Sequence, residues 1–407
     1  ATDGPSRWSN EDVFLKDPYE CTWLDNLYDD EPNFPLCDKE GNVIALGLVQ
    51  NGLKGTLPPD LVLLTHLSEL FLFYNSLSGT IPTEIFSLPQ ITGLGLDRNI
   101  FSGTIPTEVG LATTLVYFDA DENGGIVGTI PTEVGLLTSL TRLWLEYNRL
   151  TGALPTELGL LTNCTGLYVS ENQFASTLPT ELGTMSKLQK LDIEESGIKG
   201  TIPSELGRCK YLEALLFAGN DFTGTLPLSL FPPRGACQLQ YIDIERTRLS
   251  GTIPSELAYC DLLTHLAMAE SSFSGPIHTQ LGQLVNLYDF RVNNNNLDGR
   301  IPSELGQLVN VSLVHLQEND LTGTVPSELG MLQNITELWV QGNDLIGSVP
   351  QEICTLLGLP DDDKTFDVSV EDNGGNVSTD DDALAFAAPD VQFDCGRPGL
   401  DCNCLNP

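Results

Sequence analysis

Apolar residues return along the chain in a phased alternation. Leu143 and Leu145 flank Trp144, and the same spacing recurs at Leu70/Leu72, Leu94/Leu96, Leu191/Ile193, Ile242/Ile244 and Leu338/Val340. Alternate apolar positions predict short strands with one buried face. After each pair the chain reaches an Asn, such as Asn75, Asn99 or Asn148, and then a Gly-Thr-Ile-Pro-like segment. That opening recurs from Gly55 to Gly347 every 24 residues, with one gap of 25 after Gly103, one of 27 after Gly224, and Ser176 in place of Gly. Self-similarity at this period predicts a solenoid, in which each coil completes its neighbour's core. The Pro-Thr-Glu-Leu-Gly segments predict one 3₁₀ turn per coil, with Glu where the helix dipole favours it. The Pro removes a donor, so this return path is not expected to be a regular sheet interior. The Asn column should face inward and satisfy turn backbone. Ser196, Thr247 and Ser271 interrupt it, and Ser176 and His278 predict looser coils.

The L-x-x-L-x-L-x-x-N-x-L core, with its L-x-G-x-I-P tail in thirteen phased copies, resembles the plant-type (extracellular) leucine-rich repeat proteins. These are familiar from receptor ectodomains and secreted glycosidase-inhibitor proteins of plants and algae. The resemblance implies an α/β solenoid: a right-handed leucine-rich-repeat superhelix with a concave parallel β-sheet of about 13 strands. It adds 3₁₀ turns on the convex side and disulfide-bonded caps; thirteen strands would span about 60 Å. Residues 1–42 would form an N-terminal cysteine cap, 43–352 the solenoid and 353–407 an acidic C-terminal cysteine cap. Glu20-Cys21-Thr22-Trp23 followed by Cys37 resembles the family's first cap, implying a Cys21–Cys37 disulfide. Cys354–Cys395 is the pair implied at the other end, with Cys402 and Cys404 unassigned.

Within the coils, Cys237 lies near disulfide range of a neighbouring coil but not of coils two apart. It can bridge to Cys209 or Cys260, not both, and Cys209–Cys237 is carried as the candidate pair. Cys164 replaces a core Leu and is expected buried and reduced.

Composition narrows the partners. The 407 residues carry a formal charge of −37, which argues against nucleic acid and anionic membranes and favours cations or a basic partner. No stretch approaches the apolar length of a membrane span, and the start at Ala1 without Met is consistent with a removed signal peptide or a trimmed chain. Ten cysteines and the sequons at Asn163, Asn310, Asn334 and Asn376 predict a secreted or cell-surface glycoprotein. Asn163, Asn310 and Asn334 share position twelve, counted from each repeat's Gly, so glycans would occupy one column. The Asp361–Asp363 and Asp380–Asp382 runs read as solvated loop rather than calcium ligands.

In this architecture chemistry sits on outward strand positions. Phe71, Phe73 and Tyr74, then Trp144, Tyr147 and Tyr168, are rings that alternation keeps out of the core, and so are partner-binding candidates. Asp97, Asp119, Asp121, Glu122, Glu146, Glu171, Asp192, Glu194, Glu195, Asp243 and Glu245 form an acidic band. Adjacent-strand carboxylates repel, so some pKa values should rise. Four histidines and no G-x-S-x-G, H-E-x-x-H or P-loop leave catalysis, metal and cofactor without a carrier. The reading is a non-enzymatic recognition protein taking a protein or polysaccharide ligand, with basic character favoured. The alternatives are a self-associating matrix or adhesion protein, bridged by calcium, and an inhibitor of a secreted glycosidase.

Overall fold

The computed structural model describes residues 37–356 together with the strands Asp390–Gln392 and Leu400–Asp401. Two compact units divide the chain, Ala1–Asp221 and Phe222–Pro407. In the first, eight parallel strands of a principal sheet follow one another from Ala45–Gly47 to Ala214–Leu216. Their register advances by one repeat per strand, as in Ala45↔Glu69 and Gly166↔Lys190. The second carries five more, from Tyr241–Asp243 to Glu337–Trp339, and Asp390–Gln392 pairs in parallel onto the last of them. Leu70, Leu94, Leu143 and Leu191 are fully buried, as alternation requires. One 3₁₀ turn per coil follows the Pro, for example Pro131 before Thr132–Leu136, with Glu133 in the first turn.

A second set of short parallel strands, absent from the sequence reading, precedes each Pro. Lys54–Thr56, Ser76–Gly79 and Ile100–Thr104 begin it. This sheet breaks between Gln173–Phe174 and Lys199–Gly200, in the coil where Ser176 and Ser196 depart from the repeat. His278, by contrast, takes the φ −73°, ψ 136° of the prolines it replaces, so no loosening follows there.

The Asn column does what its position predicts. Asn172 donates to the carbonyls of Leu145, Val169 and Ser170 at 2.9–3.1 Å and accepts from Leu150 N at 2.9 Å. Every ladder amide thus ties its own turn to the preceding coil. Ser196 Oγ lies 2.9 Å from both the Val169 and the Glu194 carbonyl, which share its one hydroxyl proton, and Thr247 and Ser271 bond each other at 2.9 Å. The extra residue after Gly103 leaves Asn148 Oδ1 without a partner. Asn51, grouped with the ladder by sequence, is exposed. Just before each ladder residue the backbone turns left-handed: Tyr74 (φ 57°), Arg98 (φ 51°), Tyr147 (φ 49°) and Glu171 (φ 53°) are not glycine.

Cys237 pairs with Cys260, and Cys209 is a buried free thiol, correcting the Cys209–Cys237 candidate. Adjacent coils offered both choices, and the bridge forms toward the following one. Cys164 is buried and reduced, as expected. Cys37 and Cys354 are disulfide-bonded; Cys21, Cys395, Cys402, Cys404 and Asn376 lie outside the described residues.

Candidate functional site

In the first unit the outward rings form one connected strip. Phe71 lies over Gly93 and Gly95: a Cβ there would stand 3.1 Å from its Cζ and 2.9 Å from its Cδ1. Two glycines therefore make a bed that any side chain would fill. Phe71 meets Phe73 and Tyr117 edge-on, with ring centroids 6.4 and 6.0 Å apart. Tyr117 tilts against Trp144 at 4.8 Å, and Trp144 stacks on Tyr168 at 5.4 Å and 6°. Tyr117 was missed because it sits two residues before the alternation that was followed, on the same strand face as Asp119. Trp144 is flanked by Tyr117 and Tyr168, and Phe71 and Phe73 are half-buried, so the rings form one continuous ridge. Tyr74 and Tyr147 remain exposed at its border. Arg98 lies 4.4 Å over the Tyr74 ring and pairs with Glu122 at 2.7 Å.

Beside this ridge stand the carboxyls. Asp119 is only 7% exposed, and Asp192 is likewise buried, because rings and adjacent strands crowd positions that alternation alone labels outward. Asp119 accepts from the Tyr117 hydroxyl at 2.9 Å and from Asp121 N at 3.1 Å. Glu146 accepts from Ser170 Oγ at 2.7 Å. Desolvation first, then repulsion from neighbouring acids, lifts Asp97 to about 7 and Asp121 to about 8. Burial chiefly lifts Glu146 to about 7, with Asp192 and Asp119 adding to the rise. Asp119 is also raised, mainly by burial. Near neutrality these acids share fewer negative charges than their number suggests, and an approaching cation would draw protons from them.

Asp243 and Glu245 belong to the second unit and have different company. Burial raises both, while Arg291 opposes the rise, its Nη1 standing 4.0 Å from Glu245. Arg291 also pairs with Asp289. His265 stacks on Tyr241 at 4.2 Å, a contact the sequence reading did not select. Of the sequons, Asn310 and Asn334 are exposed and donate to the preceding coil's carbonyls at 2.8 Å. Asn163 accepts from Lys187 Nζ at 2.8 Å. Among the described residues no three His, Cys, Asp or Glu are grouped to hold a metal ion, and no helix is long and apolar enough to cross a membrane.

The Leucine Rich Repeat family profile matches residues 66–88, 139–161 and 238–260. No curated sequence matches the chain. Among solved structures it is similar to the plant peptide hormone receptor RGFR1 in complex with RGF2, at 31% identity and TM-score 0.67, covering 78% of this chain and 54% of that one. It is similar to the Arabidopsis receptor kinase HAESA in complex with the peptide hormone IDA and the co-receptor SERK1, at 29% identity and TM-score 0.62, covering 77% and 60%. A plant ice-binding protein is similar at 27% identity and TM-score 0.53, covering 72% of this chain and 90% of that one. The chain thus spans little more than half the length of the receptor structures it matches.

Proposed function

Because the chain is a leucine-rich-repeat protein with repeats of the plant type, we propose that it is an extracellular, non-enzymatic recognition module. Its first unit takes a basic segment of a protein partner along the ring ridge and the carboxyls beside it. The carrying observation is the placement of Asp97, Asp121 and Glu146 against Phe71, Tyr117, Trp144 and Tyr168. Half-buried acids near neutrality are suited to a guanidinium or ammonium, which pairs with the charge and sits over a ring face. Support also comes from the two receptor structures, whose ligands are named as RGF2 and the peptide hormone IDA. Partners recovered by co-purification and identified by mass spectrometry should weaken in binding to a Trp144→Ala/Tyr168→Ala variant. Unchanged affinity removes this strip from the reading. Glycans on Asn310 and Asn334 would close that flank of the second unit, and mass spectrometry showing bare asparagines withdraws the restriction.

A second reading is favoured by one other face. Thr56, Thr80, Thr104 and Thr129 are exposed, one per coil, and a Cβ on the next coil's Gly79, Gly103, Gly128 or Gly152 would meet their Cγ2 atoms within 2.9 Å. Hydroxyl and methyl therefore repeat at strand spacing, about 4.8 Å, on a rigid support. The likeness to a plant ice-binding protein makes ice the ligand to try on this face. Ice-recrystallisation inhibition that survives Thr80→Lys/Thr104→Lys, or that is absent from the unmodified chain, dismisses it.

A further inference from the structure

The second unit carries polar side chains that neither the fold nor the recognition strip uses. Asn293 and Gln317 stand on adjacent coils, two residues past Arg291 and His315, and are 8% and 7% exposed. Their oxygens Oδ1 and Oε1 lack a hydrogen-bond partner, and so does Trp339 Nε1 one coil further on. Ladder amides bond the backbone at almost every coil; these bond nothing with those atoms. Unpaired buried polar atoms destabilise a fold, and several together on one face mark a place where the chain departs from folding rules for another reason. Around them His315 lies flat on Trp339, centroids 4.2 Å apart at 4°, with Nε2 2.8 Å from Glu337. Arg291 is engaged by Asp289 and Glu245. On the neighbouring strand Ala267 and Ala269 are buried alanines, which leave that side flat.

We infer that this patch is a binding site for a neutral oligosaccharide. A side-chain amide turned by half a revolution exchanges oxygen for nitrogen with almost no change of shape. Asn293 and Gln317 can therefore donate or accept as a ligand demands, and sugar hydroxyls do both as well. Arg291, the cation of the patch, already faces Asp289 and Glu245, so an anionic ligand gains little. A peptide would need pockets for alternate side chains, which the alanines do not form. None of these residues belongs to the first unit's strip, so this site stands or falls separately from it.

The full chain should be titrated calorimetrically with cellohexaose, laminarihexaose and mannohexaose, with oligogalacturonate as the anionic control. At least one neutral hexaose should bind, and oligogalacturonate should not. Asn293→Ala/Gln317→Ala should weaken that binding roughly tenfold with the urea midpoint unchanged or raised, since two orphaned oxygens are gone. Trp144→Ala/Tyr168→Ala should leave it unchanged. The inference is overturned if no neutral hexaose binds at millimolar concentration, or if oligogalacturonate binds better. It is also overturned if the double variant keeps full affinity, or unfolds so early that the amides prove to be structural.

Discussion

Replacing Asn172 by Ala tests the physical claim on which the solenoid depends. Asn172 shares its two amide protons among three carbonyls and accepts one bond, all with backbone groups of its own or the preceding coil. Alanine orphans the Leu150 amide, while the three carbonyls lose one donor each but keep another: Asn148 Nδ2 on Leu145, Ser196 Oγ on Val169 and Tyr147 N on Ser170. One unpaired buried amide, together with the second bonds lost at the carbonyls, costs about 2–3 kcal/mol. The chain contains its own control, because Ser196 occupies the equivalent place and holds its one hydroxyl proton within reach of two carbonyls. Asn172→Ser should therefore lose roughly half as much, about 1 kcal/mol. Asn172→Asp should do worse than Ala, since a carboxylate oxygen would face three carbonyl oxygens. Urea unfolding followed by tryptophan fluorescence and far-ultraviolet dichroism gives the ordering. Stability of the Ala variant within about 1 kcal/mol of the parent, or Ser no better than Ala, would refute the argument.

Other outcomes follow from the same structure. Asp97, Asp121 and Glu146 have folded pKa values raised to about 7, 8 and 7. Each binds its proton more tightly folded than unfolded, so their contribution is complete below the unfolded carboxyl range and is lost as pH climbs from about 4 to about 8. Melting temperature should fall across that window, and Asp121→Asn should flatten the slope. Breaking Cys237–Cys260, which spans a sequence separation of 23, should cost about 3 kcal/mol in a Cys237→Ser/Cys260→Ser variant measured by denaturant. Burial pushes the Cys164 thiol up to about 12 and Cys209 to about 11, so both should resist alkylation until the chain unfolds. Glu171 sits at φ 53°: Glu171→Val should destabilise by about 1–2 kcal/mol by calorimetry, whereas Glu171→Gly should be neutral or mildly stabilising.

Much of the architecture could be read in advance because its causes are local. Leu143 and Leu145 alternate, Asn148 follows at a fixed distance, and Pro131 and Gly135 bracket a single turn; none of this needs a distant partner. The second sheet escaped notice because its strands are as short as two residues and overlap the Gly-Thr-Ile-Pro segment, whose Pro suggested irregular backbone. At the candidate site, position along a strand told which side chains leave the core but not what they meet there. Asp119 lies on the outward face yet is buried, because Tyr117 on its own strand and Trp144 on the next one crowd it. The lie of Phe71 was set by Gly93 and Gly95 in another coil, a dependence that one coil read alone does not contain. The choice of Cys260 over Cys209 was equally a matter of three dimensions.

The amide ladder also gives the stack a direction. Each asparagine reaches back to the coil before it and never forward. A cut that removes coils from the later end strips a Leu amide of its partner in the last coil left, whereas a cut at the earlier end leaves only a side-chain amide with spare valence, which water satisfies readily. Shortened variants of either unit should therefore tolerate deletion from their leading edge far better than from their trailing one.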